Sequence, residues 1–315
     1  MLIIKEKKID EFINKIKEDF DFFCVNEEKL PFKKYFFPPV EETFSLDKKG
    51  KIQTNKISNK FVLFGLNLPQ LEALTQLDEI MEKPNKDFFY WQRRDLAVVI
   101  GLIKENFDTP PGADLVFQEI SNDQYKVWEN TSKGKNLIKK YQEFFSAQGE
   151  SASGGEKTAP QIPSGESLNE WSQGMRQLLL DPELLAKAVE WSREHKIWDE
   201  LAETCLGCGI CTYVCPLCHC FSIEDSVDLE DRCSRCRKWD ACTLPGFSKI
   251  GGGHSFRPTI KERYYNWFYH KFVRAYKEYG KSQCVGCSAC KNNCPAGIDI
   301  QEILSVILRD YRSSQ

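Results

Sequence analysis

Two runs of cysteine decide what the C-terminal half of this 315-residue chain can fold into. Cys205, Cys208, Cys211 and Cys215 are followed by Pro216, and Cys284, Cys287, Cys290 and Cys294 by Pro295, so the spacing C-x2-C-x2-C-x3-C-P occurs twice. This is the spacing of bacterial 4Fe–4S sites. Three thiolates within seven residues can wrap one face of an iron–sulfur cube, each reaching a different iron. The fourth iron needs a ligand from elsewhere, and where two such runs share a protein the Cys before Pro ligates the other cluster. The expected ligand sets are therefore Cys205, Cys208, Cys211 and Cys294 for one cluster and Cys284, Cys287, Cys290 and Cys215 for the other. Structural zinc also favours paired C-x2-C elements, but four ligands per ion would leave the third closely spaced Cys of each run redundant. Gly207, Gly209 and Gly286, inside the runs, are expected cofactor-binding positions: they let the backbone pass near the inorganic sulfides and donate N–H bonds to them.

The chain has 14 cysteines, and only Cys24 lies before residue 205. Alone in an apolar and acidic stretch, Cys24 reads as a buried core thiol. The other five, Cys218 and Cys220 in CPLCHC and Cys233, Cys236 and Cys242 in DRCSRCRKWDAC, are candidate ligands of a third centre, iron–sulfur or zinc. Zinc gains weight there because Cys233-x2-Cys236 has the form of a zinc half-site. His219 stands between two of these candidates and His254 follows three glycines, where a loop role is favoured over metal ligation. Arg232, Arg235, Arg237 and Lys238 suit a screen for negative clusters, a dock for an acidic partner or a solvated basic face. The aromatic run YYNWFY at 264–269 reads as packing around the clusters.

Composition narrows the class. Hydrophobic residues make up 41% and charged residues 28%, which fits a globular chain. A formal charge of −3 gives no basic footprint for nucleic acid. The N-terminus MLIIKEKKID lacks a long apolar region, and runs such as LAVVIGLI at 96–103 are too short to span a bilayer. Clustered thiols without a secretory signal point to metal in a reducing, cytoplasmic compartment rather than to disulfides. Two 4Fe–4S cores, each with four thiolates, carry about −2 apiece and would take the charge to about −7.

The expected fold class is α+β: a mixed α/β domain over 1–147, a Gly-, Ser- and Pro-rich linker over 148–166, and an all-helical iron–sulfur domain over 167–315. Residues 2–20 carry helical spacing, KFVLFGL at 60–66 reads as a buried strand, and Pro69 opens a helix. DLAVVIGL, ADLVFQEI and DQYKVWENT read as strands, and 133–147 as a helix. Beyond the linker, helices are expected after Ser167, from Asp181-Pro182 through Trp198, and over 258–280. The 79 residues between Cys205 and Cys284 suit a helical ferredoxin arrangement rather than a small β-containing one.

The chain resembles the iron–sulfur subunit family shared by anaerobic sulfite reductases and sulfhydrogenase-type nickel–iron hydrogenases, where it is the beta subunit. CPLCHC, RKWDAC, GGGHSFRP, HKF and CVGCSACKNNCPAGIDI carry the C-terminal resemblance in that order. KYFFPPVEETF, KFVLFGL, LEALTQLD, FFYWQRRD and ADLVFQEI carry a looser one before the linker. Where the family usually has a Cys-Asp pair after the glycine of the KFVLFGL-like strand, Pro69 and Gln70 stand here. Cys233 and Cys236 fall where other polar residues are expected, which is why a rebuilt third site is considered. The resemblance implies a cytoplasmic electron-transfer protein, with a flavin- and NAD(P)H-binding subunit on one side of the relay and a catalytic redox subunit on the other. No G-x-G-x-x-G follows a strand and no catalytic constellation can be singled out, so neither dinucleotide binding nor catalysis is expected of this chain. The alternative is a catalytic subunit like heterodisulfide or sulfite reductases, with substrate at the third centre.

Overall fold

The computed structural model describes residues 1–25, 30–54, 57–104, 107, 112–121, 123–147, 170–229 and 231–315. The described strands are β1 (Leu2–Lys5), β2 (Asp21–Cys24), β3 (Val40–Leu46), β4 (Ile52–Gln53), β5 (Phe61–Leu66), β6 (Ala97–Ile103), β7 (Leu115–Ser121), β8 (Gln124–Glu129), β9 (Ser146–Ala147), β10 (Phe221–Val227) and β11 (Cys233–Trp239). The chain divides into two compact units, Met1–Lys29 with Ile57–Ser167 and Leu30–Lys56 with Leu168–Gln315. The expected linker over 148–166 lies outside the described residues. Among these residues no helix is long and apolar enough to cross a membrane.

The first unit is built on a mixed seven-stranded sheet in the order β2-β5-β6-β7-β8-β1-β9, with β2, β5, β6 and β7 parallel and the rest antiparallel. Every residue of β5 and β6 is buried, as continuous apolar runs such as FVLFGL and AVVIGLI require when both strand faces are covered. The helices are α1 (Glu6–Asp19), α2 (Leu68–Glu82), α3 (Phe88–Leu96) and α4 (Ser132–Lys140). Helix α1 buries Ile9, Phe12 and Ile16 in the same core as Phe64, Ile100 and Phe117. Helix α2 begins with a capping box, in which Asn67 accepts from Gln70 N–H and the Gln70 side chain accepts from Asn67 N–H. The helical spacing expected from residue 2 begins only at Glu6, because Leu2–Lys5 pairs with β8 and β9. The helix expected over 133–147 stops at Lys140 and gives way to a single 3₁₀ turn and β9. Cys24 ends β2 and packs against this core.

The second unit contains α5 (Glu170–Leu179), α6 (Pro182–Trp191), α7 (Ile197–Thr204), α8 (Ile210–Tyr213), α9 (Ile260–Phe268), α10 (Ala275–Tyr279), α11 (Ala289–Asn292) and α12 (Ile300–Ser313). Asp181 caps α6 through Leu184 N–H, and the helix packs against α12. The helix expected to continue through Trp198 is broken by a 3₁₀ turn at Ser192–Glu194. A π-helical stretch, Tyr269–Arg274, joins α9 to α10, and Gly280 ends the run in a left-handed conformation at φ 69°. The expectation of an all-helical unit is not met. Strands β10 and β11 form a hairpin, and β11 also pairs with β3, giving the four-stranded sheet β10-β11-β3-β4. Residues 40–53, expected in the N-terminal domain, are therefore part of this sheet.

Charge pairing explains how so exposed a hairpin holds. Arg235 forms two bonds of 2.7 Å with Asp225, Lys238 pairs with Glu224, and Arg232 reaches Glu42 at 2.8 Å. Arg237 is different, because its bond to Glu41 at 2.5 Å is buried and its guanidinium lies 4.6 Å from the Phe37 ring. The four cations thus serve the sheet. Glu41→Ala strands a buried guanidinium and is expected to cost about 3–5 kcal/mol. For a unit of this size that lowers the thermal midpoint by about 10 °C. Glu41→Leu combined with Arg237→Met should recover most of the loss in a melting experiment, since neither charge is then left alone.

Candidate metal centres

The two cysteine runs repeat in backbone as well as in sequence. Cys205 ends α7, and Gly207 and Gly209 follow with φ 61° and 77° before the short helix α8. In the second run Gly286 has φ 66°, Ser288 has φ 59°, and the short helix α11 follows. Left-handed residues two and four places after the first Cys thus recur in both runs, each just before a short helix. Gly286 N–H also bonds to Cys284, as Gly207 N–H does to Cys205 Sγ at 3.4 Å. A Cβ on Gly209 would stand 2.9 Å from that of Ala241, so space as well as conformation requires glycine there.

One cavity is lined by Cys205, Cys208 and Cys211 of the first run together with Cys294 of the second. Tyr264, Trp267, Ile298 and Ile300 supply apolar walls, and Cys290 also reaches it. Four thiols around an apolar chamber form a donor set that fits a 4Fe–4S core, whose iron takes thiolate and whose sulfides tolerate apolar walls. On the other side Cys215 interacts electrostatically with Cys284, Cys287 and Cys290. Burial pushes all three thiols up, Cys287 to about 12, and Cys215 adds to the effect. Burial likewise takes Cys211 up to about 12. Buried thiols that resist ionisation are poor acids alone and good ligands only when a metal cation compensates the thiolate.

Of the five further cysteines, Cys218 lies beside Cys215 and Cys220 beside Cys242, while Cys233 and Cys236 are on β11. Cys233 and Cys236 lie on β11 in an unbroken register with β10, and residues three apart on a strand face opposite sides about 10 Å from each other. The zinc half-site reading needed a turn at that place. Cys218 donates to Cys215; with Lys271 and Lys33 nearby, that bond holds Cys215 well below the ordinary thiol value against the cost of burial. Cys242 donates to Cys220 and in turn interacts with Cys211. Among the described residues no three Cys, His, Asp or Glu side chains close on a single ion.

Two lysines that the sequence did not single out lie among these sulfurs. Lys271, on the π-helical stretch, is fully buried with Nζ 3.5 Å from Cys215 Sγ and 2.8 Å from the Gln283 carbonyl. Burial opposes its charge, but Cys215, Cys218, Cys284 and Cys290 raise it well above the ordinary lysine value. Lys33 donates to the carbonyls of Cys218 at 2.6 Å and Thr212 at 3.2 Å and lies over the Trp239 ring. Burial lowers it, with Cys218, Cys215 and Cys220 opposing. A lysine flanked by apolar residues, as in PFKKYFF and YHKFV, was the available signal.

The histidines take ordinary places. His219 Nδ1 lies 3.1 Å from the Leu217 carbonyl and 3.2 Å from Gln283 Nε2, and burial lowers its pKa. His254 rests against Phe256 in its loop, and His195 pairs with Asp310.

Residues 204–298 match the model of a family described as a 4Fe-4S dicluster domain. Sulfhydrogenase 2 subunit beta of Pyrococcus furiosus is 28% identical over 294 residues, which cover 88% of this chain and 83% of the relative. No solved structure matches. The dicluster match and the likeness along most of the chain support an iron–sulfur protein that is similar to the sulfhydrogenase beta subunit.

Proposed function

We propose that the chain holds two 4Fe–4S clusters, on Cys205, Cys208, Cys211 and Cys294 and on Cys284, Cys287, Cys290 and Cys215, and passes electrons between them one at a time. The observation that supports this reading is that Cys294 lines one cavity with Cys205, Cys208 and Cys211, while Cys215 interacts with Cys284, Cys287 and Cys290. Clusters so placed are neighbours, and their potentials are set by burial and N–H···S bonds such as those of Gly207 and Ile298, the latter 3.4 Å from Cys294 Sγ. The likeness to a hydrogenase subunit supports a hetero-oligomer. We take its other members to be a catalytic redox subunit, together with a flavin- and NAD(P)H-binding subunit, in the cytoplasm. Substrate reduction by this chain itself would need an open third centre, and Cys233 and Cys236, on opposite faces of β11, supply no half-site for one. Anaerobic purification tests the reading. About eight irons per chain, two reducible spin-resonance signals and co-purifying flavin and catalytic chains are expected. Zinc in place of iron, or a single cluster, would overturn it.

A further inference from the structure

Helix α9 turns one of its faces to the chamber lined by Cys205, Cys208, Cys211 and Cys294. Tyr264 and Trp267, three residues apart and so on one side of the helix, both line it. Trp267 is 2% exposed, and its indole N–H has no acceptor among the described residues. Thr243 also lines the chamber, is 3% exposed, and has a hydroxyl that is likewise without a partner among them. Neither residue is loosely held. Arg263, on the same helix, donates to the Thr243 carbonyl at 3.0 Å. The Trp267 ring lies 5.6 Å from that of Tyr264 and 5.3 Å from that of Phe268. Burying a donor with nothing to accept from it costs stability, so two such donors on one chamber call for an acceptor there. An indole N–H can only donate. Around this chamber the side-chain acceptors, Thr243 itself apart, are the Tyr264 oxygen and cysteine sulfur.

We propose that Trp267 and Thr243 donate hydrogen bonds to sulfur of the cluster on Cys205, Cys208, Cys211 and Cys294 and thereby set its potential. This rests on the electron-transfer reading above. Hydrogen bonds to the sulfurs are one of the means by which a protein sets a cluster's potential. Both donors stabilise negative charge on sulfur, and that charge is greater by one electron in the reduced state, so both favour reduction. Trp267 and Thr243 are positioning residues here and not metal ligands. The other walls of the chamber, such as Ile298 and Ile300, are apolar, which keeps water from competing for the two bonds. At the second set of cysteines the corresponding influence is the charge of Lys271 beside Cys215. Neutral donors at one site and a cation at the other let each potential be adjusted without moving its neighbour.

The test uses the full cluster-loaded chain, titrated anaerobically while spin resonance reads both clusters in one sample. Trp267→Phe keeps an aromatic ring and removes the donor, and Thr243→Val keeps the shape and removes the hydroxyl. Each should lower the reduction equilibrium of the first cluster about tenfold, or about 59 mV for one electron, and leave the second cluster where it was. In wild type carrying isotope-labelled indole nitrogen, pulsed spin resonance of the reduced first cluster should show a nitrogen coupling that Trp267→Phe abolishes. A role in packing alone would produce no such coupling. Midpoints unchanged in both variants with iron retained, or both clusters shifted alike, would overturn the proposal. A shift in one variant alone removes the other residue from it. Where a variant loses iron, the labelled wild type still decides, and absence of the coupling overturns the assignment of Trp267. Iron per chain is counted first: a wild type without the first cluster overturns the electron-transfer reading, whereas a first cluster indifferent to both variants overturns this inference alone.

Discussion

Cys294→Ser is expected to remove the cluster held by Cys205, Cys208 and Cys211, although all three precede it by more than eighty residues. Iron should fall from about eight to about four per chain, and the surviving spectrum should be the one that Cys284→Ser abolishes. Cys215→Ser is the mirror experiment and should leave the signal that Cys205→Ser loses. The expected pairing follows the placement of the thiols: Cys294 lines the same chamber as the first three, while Cys215 interacts with the last three. If each run instead held its own cluster, Cys294→Ser and Cys284→Ser would give the same spectrum, and the exchanged arrangement would be wrong. The loss should also lower the melting point, because metal binding to thiolates is folding free energy in a unit stitched together by them. Ser keeps the size of the side chain, so the fall reports the missing ligand bond more than a cavity.

How much of this was legible beforehand depended on whether the determinant was local. The cluster runs were, since their spacing and their left-handed glycines lie within eleven residues of one another. Buried parallel strands were legible for the same reason: FVLFGL and AVVIGLI announce themselves by composition. The sheet in the second unit was not, because β3 joins β11 across nearly two hundred residues and β10 shows almost no buried face. Arg232, Arg235, Arg237 and Lys238 suited several roles, a solvated basic face among them, until Glu41, Glu42, Glu224 and Asp225 were seen opposite them. The alternation in CSRCRKW was the missed signal. Read as a strand, it sends Cys233 and Cys236 to opposite faces and removes the zinc half-site at once. Lys33 and Lys271 left only a weak mark, a lysine set among apolar residues in PFKKYFF and YHKFV, because which sulfurs surround a buried lysine is decided by the fold.

Lys271→Met is expected to make the cluster on Cys215, Cys284, Cys287 and Cys290 harder to reduce. Reduction adds an electron to a core that is already negative, and the buried ammonium, 3.5 Å from Cys215 Sγ, stabilises the added charge more than it stabilises the oxidised state. At an effective dielectric of about 20, a unit charge about 5 Å from that electron contributes about 3 kcal/mol, and relaxation will offset part of it. At least a tenfold change in the reduction equilibrium should remain, about 59 mV for one electron. The midpoint is read by spin-resonance-monitored titration, and the first cluster serves as the internal control. Lys271→Gln separates two causes. It keeps a donor toward Cys215 but no charge, so a midpoint like that of Met assigns the effect to charge, and one near the wild type assigns it to the N–H···S bond. An unchanged midpoint in both variants, with iron retained, would mean that Lys271 only ties the π-helical stretch to the Gln283 carbonyl. A π-helical insertion that turns one buried cation onto a ligand sulfur is a costly feature for a merely structural tether. For that reason the larger shift, in the Met variant, is the expected outcome.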